Sequence, residues 1–178
     1  MSRVDSAYER RPADAYQTPD WVLACVLQHI PWARKVWEPA CGDGNLVRVL
    51  ADSGLFKEIY ATDIKDGQDF YSFRDAQGCD GIVSNPPYTN SAVFIQHAID
   101  LMQPTAGFVM MLLPIDYACA KSRKHLFADS NAFAKKIELT KRIVWFESDD
   151  KRAAPSENHC WMLWSWRRPN PAGIAWAP

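Results

Sequence analysis

Lys35-Val36-Trp37-Glu38-Pro39-Ala40-Cys41-Gly42-Asp43-Gly44-Asn45 is the stretch that decides how this chain folds. Lys35 to Glu38 enters a short strand, Pro39 to Asn45 turns out of it, and Leu46, Val47, Val49 and Leu50 follow at helical spacing. A strand, a glycine turn and a helix in that order form half of a nucleotide-binding βαβ unit, in which Gly42 and Gly44 let backbone amides approach a ligand at the helix N-terminus. The turn lacks the three-glycine spacing of a dinucleotide site and has no Lys-Ser or Lys-Thr pair for phosphates. Glu38 and Asp43 would repel a pyrophosphate, whereas they suit a cationic amine. The expected ligand is therefore an adenosine with a zwitterionic tail.

Downstream, Glu58-Ile59-Tyr60-Ala61-Thr62-Asp63 reads as a second strand ending in a carboxylate. Asp63 falls about twenty residues beyond the glycine turn, the spacing at which an acid accepts hydrogen bonds from ribose hydroxyls; the plainer alternative is an Asp that caps the next turn. Asp69-Phe70-Tyr71 then offers a carboxylate for an adenine amino group and a ring to cover the base. Ile82 and Val83 end a short buried strand that Asn85-Pro86-Pro87-Tyr88 cannot continue, because proline lacks a backbone donor and restricts the residue before it. One amide, two ring-locked carbonyls and one aromatic ring are thus expected together at a strand's carboxyl end, where open α/β sheets place their ligands.

Working outward, residues 1–15 form a polar leader. In Tyr16-Gln17-Thr18-Pro19, Thr18 is expected to N-cap a helix with Pro19 at its first position, and Trp21, Val22, Cys25, Val26, Leu27 and Ile30 continue it at helical spacing. Beyond the Asn-Pro-Pro turn, Val93 to Met102 has helical periodicity, with His97 a helix-face residue, and Gly107 to Leu113 is a buried strand. Lys141 to Phe146 and Asn158 to Trp166 are read as two more strands, joined by the polar loop Glu147 to Glu157, and residues 167–178 as a Pro-rich tail. Between these elements, Tyr117 to Lys136 carries Lys121, Arg123, Lys124, His125, Lys135 and Lys136. It reads either as a solvated helix with Leu126, Phe127 and Phe133 inward or as a local contact for phosphates.

Composition narrows the classes. A chain of 178 residues with 48% hydrophobic content is economically one domain, and a net charge of -1 gives no global basic excess of the kind that advertises nucleic acid. No apolar run approaches bilayer length, and an N-terminus with Arg3, Asp5, Glu9, Arg10 and Arg11 is no secretion signal, so a cytoplasmic protein without membrane partners is expected. The five cysteines are scattered, without a Cys-x-x-Cys pair or a His at ligand spacing, and no metal is expected.

Taken in series, these motifs resemble the class I S-adenosylmethionine-dependent methyltransferases, and among them the DNA adenine-N6 methyltransferases. Tyr16-Gln17-Thr18-Pro19 is similar to that family's N-terminal cofactor motif, Glu38 to Gly44 to its glycine-rich motif, Asp63 and Asp69-Phe70 to its ribose and adenine positions, and Asn85-Pro86-Pro87-Tyr88 to its catalytic signature. The resemblance covers residues 16–166. It implies a Rossmann-like α/β fold, a mostly parallel sheet with helices on both faces and a C-terminal antiparallel hairpin. It implies S-adenosylmethionine as cofactor, released as S-adenosylhomocysteine, bound by Tyr16, Thr18, Glu38, Ala40, Gly42, Asp43, Gly44, Asp63, Asp69, Phe70 and Asn85. Asn85, Pro86, Pro87 and Tyr88 become the catalytic residues, and Lys121, Arg123 and Lys124 the expected DNA contacts.

The signature has a chemical reason. The lone pair of an adenine amino group is delocalised into the ring, and two acceptors, the Asn85 side-chain oxygen and the Pro86 carbonyl, can turn it towards an electrophile. Tyr88 would stack on the base once it is flipped out of the duplex. No separate target-recognition domain is expected after the last strand, a departure from the family's pattern, so sequence specificity would be short, absent, or supplied by a second copy or a partner subunit. Two other substrates present the same planar NH2, a release-factor glutamine amide and an rRNA guanine. A non-catalytic nucleic-acid-binding or partner subunit on a cofactor-type fold is the alternative from another class.

Overall fold

The computed structural model describes residues 17–145, 157–167 and 172–178, and the expected leader, Tyr16 and most of the Glu147 to Glu157 loop lie outside them. Among the described residues, seven strands form one sheet in the order β2-β1-β3-β4-β6-β5-β7. The strands are β1 (Lys35–Glu38), β2 (Glu58–Ala61), β3 (Gly81–Ser84), β4 (Phe108–Pro114), β5 (Phe133–Leu139), β6 (His159–Ser165) and β7 (Gly173–Ala177). Strands β2, β1, β3 and β4 run parallel to their neighbours, β6 is antiparallel to both β4 and β5, and β7 returns parallel to β5. This is the Rossmann-like sheet with a C-terminal antiparallel hairpin.

Alternation along the strands divides the core between the two faces. In β4, Val109, Met111 and Leu113 join Trp37, Ile82 and the buried side of α3 (Ser91–Met102), which contributes Phe94, Ile95, Ala98 and Met102. Phe108, Met110 and Leu112 join Val36, Val83 and the opposite layer, made by α1 (Asp20–Ala24) and α2 (Asn45–Asp52) with Val22, Leu23, Leu46 and Leu50. Every residue of β6 is buried, because it lies between β4 and β5 with both faces covered. Its Trp161 Nε1 donates to the Val22 carbonyl at 2.8 Å, fastening the first helix to the sheet's centre.

Three sequence expectations are corrected. The strand read at Lys141 to Phe146 is instead β5 at Phe133–Leu139; the described part of the expected stretch, residues 141–145, carries no strand. The charged run Lys135-Lys136-Ile137-Glu138 hides the strand pattern, but Ile137 and Leu139 are buried, and the Lys136 and Glu138 side chains pair at 3.1 Å. The segment read as a solvated helix with Phe133 inward is two 3-10 turns, Tyr117–Cys119 and Lys121–Leu126, followed by the start of β5. The closing stretch read as a tail supplies edge strand β7, whose Ala177 is buried although Ile174 and Trp176 are exposed.

Close packing at the sheet's centre depends on Gly81. A Cβ added there would overlap the Phe108 ring, and Phe108 is fully buried on the neighbouring strand, with no room to withdraw. Gly81→Ala is therefore expected to destabilise the fold by about 1–3 kcal/mol. Thermal denaturation checks this, and Gly81→Ala combined with Phe108→Leu should recover part of the loss.

Candidate active site

The chain leaves β1 for β2 on one side and later returns to β3 on the other. The crevice at the carboxyl ends of β1 and β3 is thus the switch point where such sheets bind ligands. Glu38 is the last residue of β1 and is fully buried. Its Oε1 accepts from the Ala40 amide at 3.0 Å and from Ser84 Oγ, at the end of β3, at 2.7 Å. Its Oε2 is buried with no partner among the described residues. Burial pushes the Glu38 carboxyl up to about 8, against the pull of the Ser84 and Ala40 bonds and with the help of the nearby Asp63 charge. A cationic amine placed at this oxygen would draw the carboxyl into its charged form, which is how the residue could receive the zwitterionic tail of S-adenosylmethionine.

The glycine turn is held from β2. The Gly42 amide donates to Asp63 Oδ2 at 2.7 Å, and the Cys41 amide donates to the Thr62 carbonyl. Gly42 and Gly44 take φ of 52° and 86°, left-handed values that favour glycine, and Gly44 caps α2. A Cβ at Gly42 would lie 3.1 Å from Gln17 Nε2, so the segment before α1 closes over the turn. Asp63 does what the plainer reading proposed. It is 9% exposed and its Oδ1 caps the next turn by accepting from the Lys65 amide at 2.9 Å. Each of its oxygens retains a second lone pair, which is what a ribose hydroxyl requires.

Asp43 is exposed and pairs with Lys65 Nζ at 3.1 Å; Lys65 also donates to the Gly42 carbonyl. Asp69 is exposed and caps the turn Phe70–Ser72 by accepting from the Tyr71 amide at 2.9 Å. Phe70, the ring expected to cover a base, is 4% exposed, enclosed by Trp37, Phe94 and His97 with centroids at 5.2, 4.5 and 4.8 Å. The more accessible ring of that pair is Tyr71.

Beyond β3, Asn85 Nδ2 donates to Thr18 Oγ1 at 3.0 Å. This bond turns the other end of the amide, Oδ1, into a buried position without a partner among the described residues. Thr18 is 4% exposed, and its carbonyl accepts from Asn45 Nδ2 at 3.1 Å. It does not cap α1, whose N-terminal boundary is Pro19 without a side-chain cap; its hydroxyl is used on Asn85 instead. Tyr88 Oη lies 3.0 Å from His159 Nε2, and Ser91 Oγ lies 2.7 Å from Tyr117 Oη. Of the expected phosphate contacts, Arg123 lies over the Tyr117 ring at 3.8 Å, Lys124 pairs with Asp129 at 2.7 Å, and Lys121 is exposed.

Four residues of this neighbourhood escaped the sequence reading: Ser84, Lys65, Tyr117 and His159. Ser84 and His159 carried a signal, each being a polar residue at the end of an otherwise apolar strand that opens on the ligand-binding rim.

No family model matches the chain, and no curated protein matches its sequence. Solved structures do match. A class I S-adenosylmethionine-dependent methyltransferase from Listeria monocytogenes superposes with a TM-score of 0.64 at 13% identity, over 93% of this chain and 66% of that one. The methyltransferase subunit of a type I restriction-modification system from Streptococcus thermophilus gives 0.58 at 11% identity, over 90% and 47%. The type IIG restriction endonuclease BpuSI gives 0.59 at 15% identity, over 82% and 24%. The fold is that of the class I methyltransferases. The chain spans less than two thirds of each of these proteins, and they share its fold at low identity.

The raised Glu38 carboxyl makes a prediction about stability. Between 4.5 and about 8 the folded state holds a proton that the unfolded chain has lost. Stability should therefore fall as pH rises through that window and level off above it. Glu38→Gln keeps an acceptor for Ser84 and Ala40 without titrating, so its urea-unfolding midpoint should vary less between pH 5 and 8 than that of the parent. Equal slopes for the two proteins would remove Glu38 as the source.

Proposed function

We propose that the protein transfers a methyl group from S-adenosylmethionine to the exocyclic N6 amino group of adenine in DNA. The observation that carries this reading is the Asn85 amide: Thr18 holds its nitrogen end, and its oxygen is buried without a partner among the described residues. An acceptor kept dry and unpaired costs stability in the free protein, and such groups mark places where a ligand supplies the missing donor.

The cofactor supplies an electrophilic methyl group on a sulfonium. Glu38 and the Gly42 to Gly44 turn would hold its tail, with Ala40, Asp43 and residues 16–18 closing the same end, and Asp63 and Asp69-Phe70 would hold its ribose and adenine. Asn85 Oδ1 and the Pro86 carbonyl would each accept one N–H of the target amino group. That would pull the nitrogen out of conjugation, direct its lone pair at the methyl carbon and stabilise the positive charge that develops as the N–C bond forms and the S–C bond breaks, leaving the thioether of S-adenosylhomocysteine. The resulting cationic nitrogen is acidic enough to give its proton to water. Pro87 stiffens the loop, and Tyr88 would stack on the extruded base. Restriction-modification proteins that share this fold supply the analogy for a DNA substrate.

Asn85→Ala is expected to lower turnover by about two to three orders of magnitude while leaving cofactor affinity near that of the parent, because the lost acceptor acts in the transition state. Radiolabelled cofactor incubated separately with duplex DNA, single-stranded DNA, ribosomal RNA and release factor tests the substrate. Label in adenine supports the reading, and label only in a glutamine amide or a guanine amino group overturns it.

Duplex binding supplies a further check. Replacing Lys121 and Lys124 together with Ala should weaken binding to all sequences alike and flatten its salt dependence by about one to two ionic contacts. An unaltered salt slope would remove this segment from the DNA surface.

A further inference from the structure

Tyr88 is assigned above only the role of a stacking ring, for which its hydroxyl is unnecessary; phenylalanine would serve as well. The hydroxyl nevertheless has a built partner. His159 opens β6, opposite Pro114 of β4, and is 2% exposed. Its Nε2 lies 3.0 Å from Tyr88 Oη, and Trp145 packs against its ring at 77° with centroids 5.4 Å apart. Burial lowers the imidazole to about 4, so it is neutral at physiological pH; its Nε2 meets Tyr88, and its Nδ1 is buried without a partner among the described residues. The contact joins residues 71 apart in sequence, one on a loop and one on a strand buried along its whole length.

The loop's other fixed points show what this contact adds. Thr18 holds Asn85 at its start, and Tyr117 holds Ser91 at its end. Between them Thr89 and Asn90 are exposed, and Asn90 sits at φ 61°. The Tyr88 ring is attached to the backbone through two rotatable bonds, so a bond at its far end restricts the ring as well as the loop. The bond to the imidazole therefore limits where the ring can stand relative to Asn85.

We infer that His159 is a positioning residue for substrate: by bonding the Tyr88 hydroxyl it fixes the ring against which a planar, NH2-bearing group stacks, beside the Asn85 acceptor. The inference rests on the methyl-transfer reading and extends it to a residue on the opposite side of the sheet's antiparallel hairpin. It assigns the hydroxyl of Tyr88 to placement and leaves the cofactor half of the crevice untouched.

The experiment is a double-mutant cycle with Tyr88→Phe, His159→Phe and the double variant, together with His159→Gln, whose amide can still bond a hydroxyl. Measurements are KM for the accepted substrate, kcat, cofactor affinity by calorimetry and Tm. Tyr88→Phe removes one oxygen from a half-buried ring, so it tests the bond even if His159→Phe fails to fold. The expected result is a rise of about tenfold in substrate KM for either single variant, the scale of one lost hydrogen bond. The double variant should be no worse than the singles, His159→Gln should recover most of the loss, and cofactor affinity should not change. Single effects that multiply in the double variant, an unchanged substrate KM in Tyr88→Phe, or cofactor affinity falling in step with Tm would overturn the inference. A parent protein that methylates DNA while the cycle shows no coupling refutes this inference alone. A parent that methylates no DNA, RNA or release factor refutes the methyl-transfer reading, and this inference with it.

Discussion

The hydrogen bond from Ser84 Oγ to Glu38 Oε1 spans the switch point of the sheet, and the geometry of the site follows from it. Each partner is the last residue of its strand, and the next residues are the glycine turn on one side and Asn85-Pro86-Pro87-Tyr88 on the other. Bonding the two strand ends together therefore sets the separation of the two loops. The carboxyl group is buried at that point, and desolvation favours its neutral form. A cation beside this carboxyl would favour its charged form and relieve the cost of its burial. Strand ladders alone would hold β1 against β3, but their register pairs only Val36 with Gly81 and Trp37 with Ile82, leaving the strand ends to be tied by side chains.

What the sequence disclosed follows how local the signal is. The order of strand, glycine turn, helix, strand and acid is written in consecutive residues, so the parallel half of the sheet and the neighbourhood of Glu38, Gly42, Asp63 and Asn85 were legible. So was the identity of β6, with its run of apolar residues. Strand β5 was not, because Lys135, Lys136 and Glu138 keep their stems in a half-buried edge region while their charges reach water, which blurs the period-two pattern. Strand β7 was missed because the prolines that flank it, Pro169, Pro171 and Pro178, make the closing stretch read as a tail, and pairing with β5 is what orders it.

Orientation of the site residues was beyond sequence for a different reason. Asn85 Oδ1 is left free because Thr18 takes the nitrogen end of the amide, a contact across 67 residues. Tyr88 is bonded across 71 residues, and Trp161 ties β6 to the Val22 carbonyl across 139. Each such bond joins residues far apart in sequence, so none leaves a periodicity or a spacing. Thr18 shows the consequence. As an isolated residue before Pro19 it has the chemistry of a helix cap, and only the tertiary structure redirects its hydroxyl.

Net charge near zero conceals an uneven distribution of charge along the sheet. Between Glu38 and Asp80 nine acidic residues stand against four Lys and Arg, whereas between Tyr117 and Arg142 seven Lys and Arg stand against two acids. The sheet order puts the first group on β2, β1 and β3 and the second on the loops and strand between β4 and β5. From β1 to β4 is two strand spacings and from β1 to β5 is four, about 10 to 19 Å. The Debye length at physiological salt is about 8 Å, so the two halves act on a solvent-exposed charge largely independently. The Asn85 to Tyr88 loop, on the strand between the two, is where a cofactor and a nucleic acid would both be within reach.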